Sequence, residues 1–301
     1  MPRVIDLPDT AACTLDECVA AIDAYGFAPC EEDSLLHAAG WLKRLSANRE
    51  FLGDIMVDEL KKARDGDVSQ ASAYGPQAIV LSSHHEAFFL RANIWPGADD
   101  AMLRAGGMGS FVYGLPHDHN FDFLTVGYCG PGYWSDYYEY DYAAVQGYAG
   151  EAAGLRFVET SQLSPGKVMH YRAHRDVHRQ RPGESLSVSL NVMHSNPAQG
   201  WLDQYAFDLE NGAVAGIVNR GSSEALLQIG VALGHEECRD VAAHFARSHP
   251  SDRMRLSAWT ALAESEGDAP ARDATWARAE RLGPPLVAQE AKARRRALAN
   301  A

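Results

Sequence analysis

Three things are scarce in this chain. The first is cysteine: 301 residues carry five, Cys13, Cys18, Cys30, Cys129 and Cys238. Few, scattered and odd in number, they do not make the paired framework of a small secreted scaffold. The expectation is core thiols at Cys13 and Cys18 and a reducing, cytoplasmic setting. The second is the long apolar run. No stretch approaches the ~20 residues that span a bilayer, and Met1-Pro2-Arg3-Val4-Ile5-Asp6 has no apolar signal core. The third is positive charge. Lys and Arg total 27 against 40 Asp and Glu, a formal net charge of −13. A general nucleic-acid or anionic-membrane binder needs a basic face, so both classes are excluded.

What is present is ordinary globular material, 46% hydrophobic and 22% charged. Its hydrophobic period changes twice along the chain, which suggests three segments: 1–70 helical, 71–220 β-rich and 221–301 helical. In the first, Thr14 or Asp16 is suited to cap a helix that Gly26 ends, Ser34 to cap the next, and Phe51 to Leu60 to form a third. From Gln77 onward come short β-patterned runs punctuated by Gly and Pro. They include Phe88–Trp95, Gly109–Tyr113, Phe121–Tyr128, Tyr133–Tyr142, Asp176–Arg181 and Leu186–Met193. Many short strands at regular spacing indicate an all-β sandwich or barrel. After Gly221 the helical period returns, as a sequence of short helices resembling HEAT-like pairs.

Within the β region, Pro116-His117-Asp118-His119-Asn120-Phe121-Asp122-Phe123 stands out. Alternate residues of a strand point the same way, so His117 and His119 project from one face together with Phe121, Phe123 and Thr125. Imidazole suits iron, zinc, copper or nickel. A third imidazole would complete a facial set with open positions. His178, sharing a face with Asp176 and Gln180, is the better placed; His170 is the alternative. His84-His85 and His235 read as loop residues.

These residues resemble the cupin superfamily, and within it the thiol dioxygenase branch typified by cysteine dioxygenase. His117-Asp118-His119 is similar to the first cupin motif. His178-Arg179-Gln180, the Pro182-Gly183 turn and Ser187-Val188-Ser189-Leu190-Asn191 are similar to the second. The resemblance covers roughly residues 75 to 220, and neither helical flank. It implies an α+β chain with a jelly-roll cupin barrel and mononuclear Fe(II) on His117, His119 and His178, with Zn, Mn or Ni as alternatives. The usual cupin glutamate is missing, with Phe123 and Leu124 in its place, which implies the three-histidine type. Cysteine dioxygenase also carries a Ser-x-His-x-Tyr run and, in some members, a cysteine cross-linked to that tyrosine. Here Ser189-Leu190-Asn191-Val192-Met193 matches the run, and Leu124 matches the cysteine. The substrate therefore does not transfer with the scaffold.

Four polar residues are expected near the metal: Gln180, Ser189 and Asn191 by parity, and Arg91 as the partner of a substrate carboxylate. Tyr128, first of an aromatic cluster, is a candidate pocket wall. The leading expectation is an Fe(II) oxygenase acting with O2 on a small molecule or an amino-acid-derived or peptide substrate. The alternatives are a cupin isomerase, lyase or hydrolase using another metal as Lewis acid, and a non-catalytic metal-binding cupin whose helices dock a protein. A homo-oligomer is compatible with all three.

Overall fold

The computed structural model describes residues 2–64, 77–82 and 87–300. The expected boundary at 70/71 and the His84-His85 pair lie outside the described residues. The chain divides into two compact units. Met1–Tyr140 with Leu155–Gln199 forms one; Asp141–Gly154 with Gly200–Ala301 forms the other.

The first unit opens with β1 (Arg3–Ile5) and three helices, α1 (Leu15–Tyr25), α2 (Glu32–Ala47) and α3 (Phe51–Arg64). Then come β2 (Ala78–Val80), β3 (Phe88–Trp95), the short α4 (Ala101–Gly106), β4 (Phe123–Cys129), β5 (Trp134–Glu139), β6 (Arg156–Gln162), β7 (Val168–Tyr171), β8 (Asp176–Arg181) and β9 (Ser187–His194). Thr14 caps α1 reciprocally: its side chain accepts from the Glu17 N–H, and the Glu17 carboxylate accepts from the Thr14 N–H. Gly26 at φ 85 ends it. Ser34 does not cap α2. It lies within the helix, and its hydroxyl donates to the Gly26 carbonyl and accepts from the Ala28 N–H, fastening the preceding turn instead.

The strands form two antiparallel sheets, a six-stranded one ordered β1-β7-β4-β9-β3-β2 and a three-stranded one ordered β6-β5-β8. Strand alternation gives the large sheet two different faces. Phe88, Leu90, Ala92, Leu124, Val126, Val188, Leu190 and Val192 meet Ile22, Leu35, Ala39, Leu42, Phe51 and Leu52 of the N-terminal helices. Each fully buried Leu, Ile, Val or Phe among them contributes about 1.5–3 kcal/mol. Leu186, the first residue of the expected Leu186–Met193 strand, precedes β9 and is exposed. On the opposite face Phe89, Trp95, Phe123, Met169, Tyr171 and Met193 pack with Tyr137 of the small sheet. The Tyr137 and Tyr171 hydroxyls, 2.9 Å apart, join the sheets through one hydrogen bond. Two antiparallel sheets thus enclose a common interior.

Two expected strands need correction. Gly109–Tyr113 is not a strand: Met108–Phe111 is a 3-10 turn, entered through Gly107 at φ 75 and left through Val112 at φ 55. Its glycines permit the tight path, and the buried Phe111 and Tyr113 anchor it from the turn. Nor is the segment from His117 to Thr125 one continuous strand. His117 bridges His178 in the small sheet, whereas Phe123 pairs Tyr171 and Met193 in the large one. The intervening residues cross from sheet to sheet.

The second unit holds a hairpin, β10 (Tyr205–Asp208) and β11 (Ala213–Ile217), and five helices: α5 (Ser222–Ala232), α6 (Glu236–Ser248), α7 (Asp252–Glu264), α8 (Ala269–Leu282) and α9 (Pro285–Ala299). Helix α7 touches each of the other four around Leu227, Met254, Trp259, Trp276 and Val287. The irregular stack of HEAT-like pairs expected of this segment is not shown by that packing. Arg253 is buried between two carboxylates, Asp203 at 3.3 Å and Glu224 at 3.0 Å. Among the described residues no helix is long and apolar enough to cross a membrane.

Candidate metal centre

His117 and His178 are direct cross-strand neighbours. Each backbone N–H donates to the other's carbonyl at 3.0 Å. Alternation along β8 turns His178 and Gln180 inward, while Arg179 and Arg181 turn outward and clasp Asp136 at 2.7 and 3.0 Å. His119, two residues beyond His117 on the crossing segment, brings a third ring. The His178 Nε2 lies 3.0 Å from that of His119 and 3.2 Å from that of His117. All three donor atoms fall within 4.8 Å of one another. Donors held about 2.1 Å from one cation sit about 3.0 Å apart at right angles and about 3.4 Å apart at tetrahedral angles. The two measured separations lie within that interval.

Protonation agrees with the geometry. Nδ1 of His117 is 2.9 Å from the Leu115 carbonyl. A carbonyl only accepts, so Nδ1 carries the proton and Nε2 presents a lone pair. Nδ1 of His178 is 3.0 Å from the Gln180 amide nitrogen, and the buried Gln180 Oε1 has no partner among the described residues. The same amide nitrogen is 3.3 Å from His178 Nε2; a half-turn of the amide lets Oε1 accept from Nδ1–H, the nearer of the two, and leaves the Nε2 lone pair for a ligand bond. Burial lowers the basicity of all three imidazoles. His119 and His178 fall furthest: repulsion from His117 adds to burial at both, and His119 also feels His178 and the Arg91 guanidinium. The rings are neutral at pH 7, the state a metal requires. Phe121 and Phe123, with ring centroids 4.8 and 5.0 Å from that of His119, and Tyr171, 4.9 Å from that of His178, form an aromatic wall.

The remaining expected residues divide by face. Gln180 reaches His178 as described. Arg91, Ser189 and Asn191 share the inner face of the large sheet, but the latter two serve the scaffold. Ser189 Oγ accepts from Trp95 Nε1 at 3.0 Å, and Asn191 Nδ2 donates to the Arg91 carbonyl at 3.4 Å. Tyr128 does not join the site. It alternates with Leu124 and Val126 toward the helices, where it meets Phe51 at 5.5 Å and the Arg49 guanidinium at 5.5 Å. His170 also points away. Its neighbours Met169 and Tyr171 face inward, whereas its Nε2 pairs with Asp122 at 2.9 Å, so the third imidazole of the group is His178. His235 is the exposed residue before α6. The two positions that match the family's cross-link hold Met193, inward, and Leu124, outward. Sequence reasoning missed Tyr171, whose alternation with His170 was a usable signal. It also missed the Leu115 carbonyl, which carries no signal because every residue has one.

No protein-family model matches the chain, and no curated protein sequence does. Among solved structures it is similar in part to the DMSP lyase DddQ from Ruegeria pomeroyi, at 10% identity and a TM-score of 0.25 over 40% of this chain and 47% of that one. It is similar to the hydroquinone 1,2-dioxygenase PnpCD solved with Cd2+ and 4-hydroxybenzonitrile, at 12% identity and a TM-score of 0.28 over 44% of this chain and 71% of that one. A third likeness is to a putative mannose-6-phosphate isomerase from Ralstonia eutropha, at 15% identity and a TM-score of 0.22 over 43% and 94%. The chain spans less than half the length of the lyase it matches.

Proposed function

We propose that this chain is a cupin-type, mononuclear non-haem Fe(II) oxygenase, with the metal on His117, His119 and His178. The substrate class is a small molecule or an amino-acid-derived group. The observation that carries the reading is the convergence of three neutral imidazoles, with the Nε2 atoms of His119 and His117 at 3.0 and 3.2 Å from that of His178. Fe(II) bound to three neutral ligands retains its double positive charge and open positions, so it supplies a place where an anionic substrate and dioxygen meet. The protein's own part is orientation and exclusion. Leu115 and Gln180 set the tautomers of His117 and His178. Phe121, Phe123 and Tyr171 keep the surroundings apolar. Arg91, near enough to His119 to lower its basicity, adds a positive charge that favours an anionic substrate.

Metal analysis of tag-free protein, followed by oxygen-electrode screening with Fe(II), tests this. Stoichiometric iron with substrate-dependent oxygen uptake is the expected result. Tight zinc without oxygen uptake would replace it with Lewis-acid isomerase, lyase or hydrolase chemistry. Failure to bind any divalent metal would overturn both.

A further inference from the structure

Cys13 stands one residue before Thr14, the N-cap of α1, and Cys18 four residues after it. Those two positions are the ones whose side chains meet across a capped helix start, where a pair of apolar residues ordinarily packs. Here both are thiols. They are 3% and 0% exposed and belong to the core between the helices and the large sheet, where the Cys13 thiol donates to the Trp41 carbonyl at 3.8 Å. They are not equivalent. Ala11, Ala12 and Thr14 are exposed, so Cys13 lies just beneath the surface with Cys18 under it. Arg44 donates from Nε to the Ala11 carbonyl at 3.1 Å, which holds a guanidinium beside Cys13. The neighbouring Cys18, and then the Arg44 guanidinium, hold the Cys13 thiol below its ordinary value against burial and the Glu17 carboxylate, whereas the neighbouring Cys13 and burial push Cys18 up. A thiolate is the nucleophile in thiol chemistry, so Cys13 is the member suited to attack.

We propose that Cys13 and Cys18 form a reversible thiol–disulfide switch whose oxidant is a hydroperoxide. The Cys13 thiolate attacks the peroxide oxygen; the O–O bond breaks, and Cys13 becomes a sulfenic acid as hydroxide or alkoxide leaves. The Cys18 sulfur then attacks the Cys13 sulfur, an S–S bond forms, and water departs carrying the Cys18 proton. Two thiols lose two electrons and one peroxide gains them. The bond ties the start of α1 to the turn before it, on the helix-covered face of the sheet, and needs no metal.

The test is intact-mass and peptide analysis of the full chain after hydrogen peroxide treatment and alkylation. Cleavage after Glu17, between the two cysteines, leaves peptides that only a disulfide can join. The expected product is that joined pair, lighter by about two mass units and separated by dithiothreitol. In Cys18→Ser, Cys13 should instead accumulate as a dimedone-trapped sulfenic acid. The wild-type experiment decides even if that variant folds poorly. If Cys13 and Cys18 both remain alkylatable under peroxide that oxidises the exposed Cys30 and Cys129, the pair is packing alone and the switch is refuted. If folded Cys18→Ser gives no adduct at Cys13, the assigned order of attack is wrong.

Discussion

Loading the protein with a divalent cation should raise its thermal midpoint, and the rise should require all three imidazoles. A ligand that binds only the folded state at about a hundred times its Kd stabilises by about 2.7 kcal/mol. A domain of roughly 150–250 residues gains ~2–4 °C per kcal/mol, so the wild-type rise should be about 5–10 °C. His178→Ala removes the nitrogen that lies 3.0 and 3.2 Å from the other two donors, and at the same metal concentration the rise should vanish. Gln180→Leu keeps all three donors but removes the group that orients His178. Loss of such a partner weakens metal binding about 10–100-fold, which cuts the gain to roughly 0.4–1.4 kcal/mol. Scanning calorimetry of chelator-stripped protein, with and without Fe(II) or Zn(II), reads all three. Each comparison is a shift within one protein, so any stability change in the metal-free variants drops out. An equal rise in His178→Ala would place the bound cation elsewhere, for example at His170 and Asp122, and refute the assignment. No rise in wild type where titration calorimetry shows stoichiometric binding would also refute it.

Two further outcomes follow from burial. Asp203 titrates at about 6, raised chiefly by burial, with Arg253 opposing and Glu224 reinforcing the shift. The folded state therefore keeps a proton that the unfolded chain releases near pH 4, and this group's contribution to stability falls as pH rises from about 4 through 6, by on the order of 3 kcal/mol. The buried histidines, with depressed values, have the opposite sign. The quantity to measure is thus the difference in urea-unfolding free energy between wild type and Asp203→Asn at pH 4.5 and 7. The variant should gain relative to wild type on going to pH 7; a constant difference would contradict the argument. Leu190→Ala, at a fully buried position on the helix-facing side of β9, should cost about 2–5 kcal/mol in urea unfolding. The metal-induced thermal shift should survive, because the cavity opens on the face away from the histidines.

Period and parity made much of this protein legible. Phe88–Trp95 and Asp176–Arg181 were readable residue for residue from their β-patterned composition between turn residues, and α1 because a cap at Thr14 or Asp16 and a stop at Gly26 mark its two ends. The same parity holds His117, His119 and His178 as candidates for one site; Tyr128, expected as a pocket wall, lies instead with Leu124 and Val126 on the helix side. Parity says which side a residue occupies within a strand. It does not say which strands become neighbours, nor where a segment leaves one sheet for the other. The bridge between His117 and His178, the exclusion of His170, and the engagement of Ser189 by Trp95 depend on contacts between residues far apart in the chain. Local sequence thus determined the donor types and their facing, because those follow from bond geometry over a few residues. Only the closing of the two sheets over a shared interior decided which three nitrogens meet, because that depends on packing the whole core at once.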